Sequence, residues 1–139
     1  MRKNISILIA DRNRNIREFL RRELGAEGYR VQLANDGREV LMMIELESPD
    51  ILILDLEIPN VDGFEILRHL RSTKNNLPVV VHTFLTDYAS HPLLRYAAAF
   101  VEKKGNNIEG LKAAIRDVVR EHYPYRVTSV DEGRDQQYR

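Results

Sequence analysis

The sequence contains no cysteine, and this absence removes two large classes of small protein. Without cysteine there is no disulfide-stabilised scaffold and no metal site built from thiolates. Hydrophobic residues make up 43% of the 139 residues, so one domain can bury a core without covalent support. A chain free of cysteine also fits a reducing compartment. We therefore expect a soluble cytoplasmic protein.

An excess of either charge sign is absent as well. Lys and Arg total 21, Asp and Glu total 21, and the formal net charge is 0. A general nucleic-acid-binding domain is normally clearly basic. Residues 124–139 are moreover too few to form a DNA-binding domain. We expect no nucleic-acid partner for this chain.

Long hydrophobic runs are also lacking. The first apolar stretch, Ile5 to Ala10, stops at Asp11 and is too short for the core of a signal peptide. No run approaches the roughly 18 apolar residues that a membrane span needs. The sequence predicts no membrane segment.

Short apolar runs instead alternate with amphipathic stretches. The pattern predicts strands at 5–10, 29–34, 51–54, 79–83 and 100–102, and helices at 12–24, 39–46, 63–72, 87–98 and 108–122. Strands separated by helices pair in parallel through right-handed crossovers. The predicted fold class is α/β, a doubly wound five-stranded parallel sheet with helices on both faces.

Two parts of this pattern need separate comment. In the segment 87–98, Ser90 is a candidate N-cap and Pro92 lies near the first turn, so we expect a short helix. Pro124 ends the last helix, and few apolar residues follow it. We predict one domain at residues 1–123 and a flexible tail or the start of a linker at 124–139.

The stretch 49–63 carries most of the functional information. A buried strand at 51–54 ends in a carboxylate, Asp55, and a loop with Pro59 and the pair Asp62-Gly63 follows. Open α/β sheets bind their ligands at the carboxyl ends of the strands. Taken alone, Asp55 is equally well explained as a turn residue.

The other strand ends decide between these interpretations. Loops after strands one, three, four and five meet at one sheet edge and bring together Asp11, Asp55, Thr83 and Lys103. A carboxylate can attack phosphorus to form an aspartyl phosphate. A second acid can help to hold a divalent cation, and a hydroxyl and an ammonium can bind phosphoryl oxygens.

Four motifs resemble the receiver domains of two-component response regulators. They are ILIAD at 7–11, PDILILDLEIPNVDG at 49–63, VVVHT at 79–83 and AFVEKKG at 99–105. The resemblance covers residues 4 to about 122. It implies a flavodoxin-like sheet with strand order 2-1-3-4-5.

The resemblance also implies a role for each residue of the site. Asp55 corresponds to the phosphoacceptor, Thr83 to the switch hydroxyl, Lys103 to the lysine that pairs with the phosphate, and Phe100 to the switch aromatic residue. A Mg²⁺ ion would be held by Asp11, by Asp55 and by the backbone of Glu57.

Arg12 departs from the family pattern, which usually has a second, metal-binding acid at this position. Two unit charges about 4 Å apart interact by about 4 kcal/mol at an effective dielectric constant near 20. An inward Arg12 would therefore lower the affinity for Mg²⁺. Arg12 could instead pair with Asp55 and replace part of the cation's charge, or extend into solvent.

A second departure is Phe84, where the family prefers a small residue. Its ring would narrow the access of a bulky phosphodonor to Asp55. The interval from Thr83 to Lys103 is also slightly short, which predicts a trimmed fourth helix or a trimmed loop before it.

Two functional hypotheses follow. In the first, a sensor histidine kinase or a phosphotransfer protein phosphorylates Asp55, and the changed surface of the receiver signals to a downstream protein target. Enzymatic activity would be at most self-phosphotransfer and autodephosphorylation, and homodimerisation stays open. In the second, Arg12 and Phe84 mark a pseudo-receiver, a protein-interaction module that does not depend on phosphorylation.

Overall fold

The computed structural model describes residues 5–84, 90–105 and 107–126. Its strands are β1 (Ser6–Ala10), β2 (Arg30–Ala34), β3 (Ile51–Leu54), β4 (Val79–Thr83) and β5 (Ala99–Glu102). Its α-helices are α1 (Arg14–Ala26), α2 (Gly37–Glu47), α3 (Gly63–Ser72) and α4 (Ile108–His122), and two 3-10 helices span Pro92–Tyr96 and Pro124–Arg126. No helix in these ranges is both long enough and apolar enough to cross a bilayer.

The five strands form one parallel sheet in the order β2-β1-β3-β4-β5, as predicted. The strand order reverses between β1 and β3, which are neighbours paired from Ile7 with Ile51 to Ala10 with Leu54. A crevice opens beyond the carboxyl ends of the strands at such a reversal. The residues that directly follow β1 and β3 are Asp11 and Asp55.

The core consists of two apolar layers, one on each face of the sheet. Because side chains alternate along a strand, Ile7 and Ile9 face one layer while Leu8 faces the other. The first layer packs against α1 and α4, and the second against α2 and α3. The predicted helices on both faces are thereby confirmed.

The described part of the connection between β4 and β5 holds a single 3-10 helix, Pro92–Tyr96. Residues 85–89, which include the start of the predicted segment 87–98, lie outside the described residues. The predicted N-cap Ser90 is wrong. Because the helix starts at Pro92, the capping residue is His91, whose Nδ1 accepts a hydrogen bond from Leu93 N at 3.1 Å.

One apolar residue of α1 is not part of the core. Phe19 lies on the apolar stripe of α1 with Leu20 and Leu24, which are buried, but it is 39% exposed. It lies at the margin of the apolar stripe, where the Arg22 guanidinium stands 5.7 Å from its ring centroid. A contact between a cation and an aromatic ring of this kind stabilises an exposed ring.

Asp50 ties the chain after α4 to the amino-terminal edge of the sheet. Its Oδ2 accepts a hydrogen bond from Ser6 N at 2.8 Å, and its Oδ1 lies 2.6 Å from Arg126 Nη1. The Tyr123 hydroxyl donates to the carbonyl of Asp50 at 2.6 Å. We call these residues the Asp50 clasp. It includes the start of the predicted tail, and residues 127–139 lie outside the described residues.

Replacing Leu52 by alanine should lower the free energy of unfolding by about 2–5 kcal/mol, because Leu52 is fully buried in the centre of β3. Met42→Ala is the matched control, since Met42 is 53% exposed on α2. We expect it to change stability by less than about 0.5 kcal/mol. Urea denaturation of both variants gives the comparison, and equal losses would contradict this assignment of the core.

Candidate functional site

Three charged residues follow directly after three strands and converge at the carboxyl edge of the sheet. Asp11 follows β1, Asp55 follows β3 and Lys103 follows β5. Backbone hydrogen bonds that continue the pairing of the strands fix the positions of Asp55 and Lys103. Asp55 N donates to Ala10 O at 2.9 Å, and Lys103 N donates to Thr83 O at 2.8 Å. All three residues are buried: both aspartates are 2% exposed and Lys103 is 7% exposed as a whole residue.

Lys103 joins the two buried carboxylates. Its Nζ lies 2.5 Å from Asp11 Oδ2 and 3.6 Å from Asp55 Oδ2. Burial raises the pKa of Asp11 because it disfavours the charged form, and the hydrogen bond from Lys103 opposes that rise. A buried charge is costly unless it is paired, so the lysine makes two neighbouring buried carboxylates tolerable.

Backbone amides hold both carboxylates in fixed orientations. Asp11 Oδ1 accepts from Asn13 N at 2.8 Å, and Asp55 Oδ1 accepts from Glu57 N at 3.1 Å. The Arg12 amide lies 3.4 Å from Asp55 Oδ2. Because these donors are part of the chain, the carboxylates are pre-oriented before any ligand arrives.

Arg12 lies beside Asp55 at the exposed margin of the site. Its Nε lies 3.7 Å from Asp55 Oδ2, and its Nη1 lies 3.0 Å from Glu57 Oε2. The side chain of Arg12 is 43% exposed and that of Glu57 is 36% exposed. Of the three orientations left open by the sequence, the structure has the one in which Arg12 pairs with Asp55.

Thr83 and Phe84 lie at the carboxyl end of β4, and Phe100 lies on β5. Thr83 is fully buried at the end of β4. Phe84 is 58% exposed, and its ring centroid lies 5.4 Å from Lys103 Nζ. Phe100 packs against the core layer of α2 and α3. The switch roles of Thr83 and Phe100, and the narrowing of access by Phe84, stay predictions.

The carboxylates predicted to bind a magnesium ion already contact cationic side chains. The predicted ligands Asp11 and Asp55 share an edge of the sheet, but both are already engaged by Lys103, and Arg12 stands over Asp55. Within 5–84, 90–105 and 107–126, no three acidic or histidine side chains are grouped so that they could hold one metal ion. The Glu57 backbone remains only a predicted ligand.

Two side-chain contacts at this edge were not predicted. The Glu57 carboxylate binds Arg12, although the sequence assigned a role only to the Glu57 backbone. Arg17 shares one stripe of α1 with Arg14 and Arg21, and its Nη1 donates a hydrogen bond to the carbonyl of Asp11 at 2.7 Å. The only signal for this bond is the close spacing of Arg17 to Asp11 in the sequence.

His82 lies next to Thr83 on β4. It is buried, at 9% exposure, but its Nδ1 has no hydrogen-bond partner among the described residues. Burial, and to a smaller extent the nearby charge of Lys103, lower the pKa of His82 to about 4. His82 is therefore neutral near pH 7.

The comparisons with known proteins agree with this geometry. Residues 7–116 match the model of the response regulator receiver domain family, so this chain belongs to that family. The chain is 49% identical over 80 residues to the response regulator MprA of Mycobacterium ulcerans, and 51% identical over 77 residues to that of Mycobacterium leprae. These matches cover 58% and 55% of this chain and 34% of each relative. The matched part is thus about a third of the length of these relatives.

Solved receiver structures are also similar. The response regulator TrrA of Thermotoga maritima, in complex with Mg²⁺-BeF, has a TM-score of 0.75 and 33% sequence identity. That likeness covers 81% of this chain and 97% of TrrA. TrrA in complex with the histidine kinase ThkA gives a TM-score of 0.74 and 32% identity, over 82% of this chain and 97% of TrrA.

Because of His82, the free energy of unfolding should decrease as the pH is lowered. The unfolded histidine has a pKa near 6.5, whereas that of the folded histidine is about 4, so the unfolded state takes up the proton first. The contribution is fully present above about pH 6.5 and is lost towards pH 4, up to about 3 kcal/mol. Urea denaturation of the wild type and of His82→Leu at several pH values measures it.

The His82→Leu variant should lose less stability than the wild type across this range. The control His69→Leu removes an exposed histidine of α3 and should follow the wild type. Parallel curves for the wild type and His82→Leu would show that His82 does not contribute. The pKa of Asp11 is raised in the folded protein, so protonation of Asp11 adds stability as the pH falls, opposite to the effect of His82. The effect of His82 is therefore obtained from the difference between the wild type and the variant.

Proposed function

We propose that this receiver accepts a phosphoryl group on Asp55 from a sensor histidine kinase or a phosphotransfer protein. The observation that carries the proposal is the surroundings of Asp55 Oδ2, with Lys103 Nζ at 3.6 Å and Arg12 Nε at 3.7 Å. A carboxylate next to two cations suits a site that receives an anionic group. The kinase ThkA in complex with the related TrrA supports the class of partner.

The transfer is an in-line displacement at phosphorus. One oxygen of Asp55 forms the O–P bond while the P–N bond of the donor phosphohistidine breaks. The departing imidazole nitrogen takes up a proton, and Lys103 screens the charge on the phosphoryl oxygens. Hydrolysis of the aspartyl phosphate would reset the site, so the proposed activity is limited to self-phosphotransfer and autodephosphorylation.

The signal would then pass through Thr83 and Phe100. In this proposal the Thr83 hydroxyl binds the phosphoryl group, and Phe100 turns inward. The surface formed by the 3-10 helix Pro92–Tyr96, β5 and α4 changes its affinity for a downstream protein or a second copy of the chain. We place this receiver domain at residues 1–123 and in the cytoplasm.

A pseudo-receiver is the second candidate, and Arg12 is the observation that favours it. The Arg12 guanidinium bridges Asp55 and Glu57, so the acceptor carboxylate already has a partner. In this case the chain would bind its partner through a fixed surface, without phosphoryl transfer.

Phosphorylation separates the two candidates. Incubation with phosphoramidate should add the mass of one phosphoryl group, in an adduct that is stable to acid and labile to base. Asp55→Asn should abolish the adduct because the nucleophile is lost. Asp117→Asn is the matched control, since Asp117 lies exposed on α4, and it should retain the adduct. Absence of any adduct in the wild type, at every divalent concentration, would favour the pseudo-receiver.

The wild type should bind Mg²⁺ weakly, and Arg12→Asp should tighten the binding by at least about tenfold. The reason is that the substitution changes the charge next to Asp55 by two units. At short range, two unit charges interact by several kcal/mol. Calorimetric titration with Mg²⁺ measures the affinity. Arg14→Asp makes the same charge change at an exposed position of α1 and should have a smaller effect. Equal affinities in the wild type and Arg12→Asp would contradict the argument.

A further inference from the structure

We propose that Arg12 is a phosphoryl-binding residue that lets Asp55 be phosphorylated without a metal ion. The inference rests on the proposed function, because it requires Asp55 to be the acceptor. It goes further by assigning the charge that assists transfer to a side chain of this chain.

The position of Arg12 meets the geometric requirement. Its Nε faces Asp55 Oδ2 at 3.7 Å, which is close enough for charge attraction but longer than a hydrogen bond. Its Nη1 is bonded to Glu57, whereas its Nη2 has no hydrogen bond to any residue that the structure describes. A planar guanidinium with unused donors binds two oxygens of a phosphoryl group at once.

Arg12 and Lys103 both lie near Asp55 Oδ2, but Arg12 is partly exposed and Lys103 is buried. Lys103 is 5% exposed in its side chain and also binds Asp11, so it is committed to the interior. Arg12 is 43% exposed and lies at the mouth of the site. An incoming phosphodonor therefore meets Arg12 first, with Lys103 behind the acceptor carboxylate.

The charge of Arg12 is permanent under all physiological conditions. Guanidinium groups do not lose their proton in proteins, and the hydrogen bond from Arg12 to Glu57 raises the pKa of Arg12 further. A magnesium ion supplies positive charge only when it is bound, and the donor set here is poor. The protein thus carries part of the charge that a bound cation would supply.

Glu57 keeps Arg12 in place until the phosphoryl group arrives. The pair of Arg12 Nη1 and Glu57 Oε2 is half exposed on both sides, and exposed ion pairs of this kind contribute little net stability. Arg12 can therefore exchange the Glu57 carboxylate for phosphoryl oxygens with little loss. Glu57 acts as a positioning residue, because it holds the guanidinium next to Asp55.

The transfer to Asp55 needs only the protein, the phosphodonor and water. With phosphoramidate as donor, an Asp55 oxygen forms the O–P bond, the P–N bond breaks, and the departing nitrogen takes a proton from water. Arg12 donates hydrogen bonds to two of the phosphoryl oxygens and transfers no proton.

The test measures the rate of adduct formation by mass spectrometry, with phosphoramidate and either EDTA or MgCl₂. The wild type should react in EDTA at a rate within about threefold of that in Mg²⁺. Arg12→Ala should be at least about tenfold slower in EDTA, since loss of one charge-stabilising donor typically costs 10²–10³. Arg12→Asp should react only with Mg²⁺. Arg14→Asp, the control of equal charge change, should behave like the wild type.

A spectroscopic measurement checks that Arg12 itself meets the phosphoryl group. The Nε–H resonance of Arg12, assigned by its loss in Arg12→Ala, should shift when the protein is phosphorylated in EDTA. An Arg12 that only stabilises the fold would not shift in this way.

The outcomes separate this inference from the proposed function. A wild-type adduct that forms only with Mg²⁺ would overturn the role of Arg12 and leave Asp55 as the acceptor. Equal rates for the wild type and Arg12→Ala in EDTA would overturn the inference as well. No adduct in either condition would overturn both.

Discussion

The ion pair between Lys103 and Asp11 is the interaction on which the carboxyl edge of the sheet depends. Two carboxylates, each 2% exposed, lie within reach of a single ammonium. Without that ammonium, the sheet edge would bury two charges of the same sign, at a cost of several kcal/mol. The pair therefore has a structural role as well as a chemical one. It also links β1 to β5, which are not neighbours in the sheet.

Arg12 adds a second, outer layer of positive charge to this arrangement. The inner cation is enclosed and contacts two carboxylates, whereas the outer one is partly exposed and also contacts Glu57. The site therefore has Asp55 at the proposed acceptor position, while its balance of charge differs from the pattern of the receiver family. Under the two proposed functions, Arg12 either exchanges Glu57 for a phosphoryl group or keeps Asp55 and Glu57 as fixed partners.

The sequence predicted the parts of the fold that depend on local pattern. The apolar runs at 51–54 and 79–83 are strands with these bounds, because a strand buried on both faces has a continuous apolar signature. Parallel pairing then placed Asp11, Asp55 and Lys103 at one edge. The contact of Arg12 with Glu57 and that of Arg17 with the carbonyl of Asp11 were beyond such reasoning, since a long side chain selects its partner only in the folded structure. His91 replaced Ser90 as the cap because the exact start of a short helix is weakly determined by sequence.

The Asp50 clasp has a mechanical consequence for α4. The helix has its amino end near the carboxyl edge of the sheet, a few residues after Lys103, and Tyr123 and Arg126 anchor its far end to Asp50. At 1.5 Å per residue, its 15 residues form a rod of about 22 Å. A rod held at one end pivots there. Any displacement of Lys103 would therefore move residues 107 and 108 most and the anchored end least. Helix α4 would act as a lever that pivots at the amino-terminal edge of the sheet.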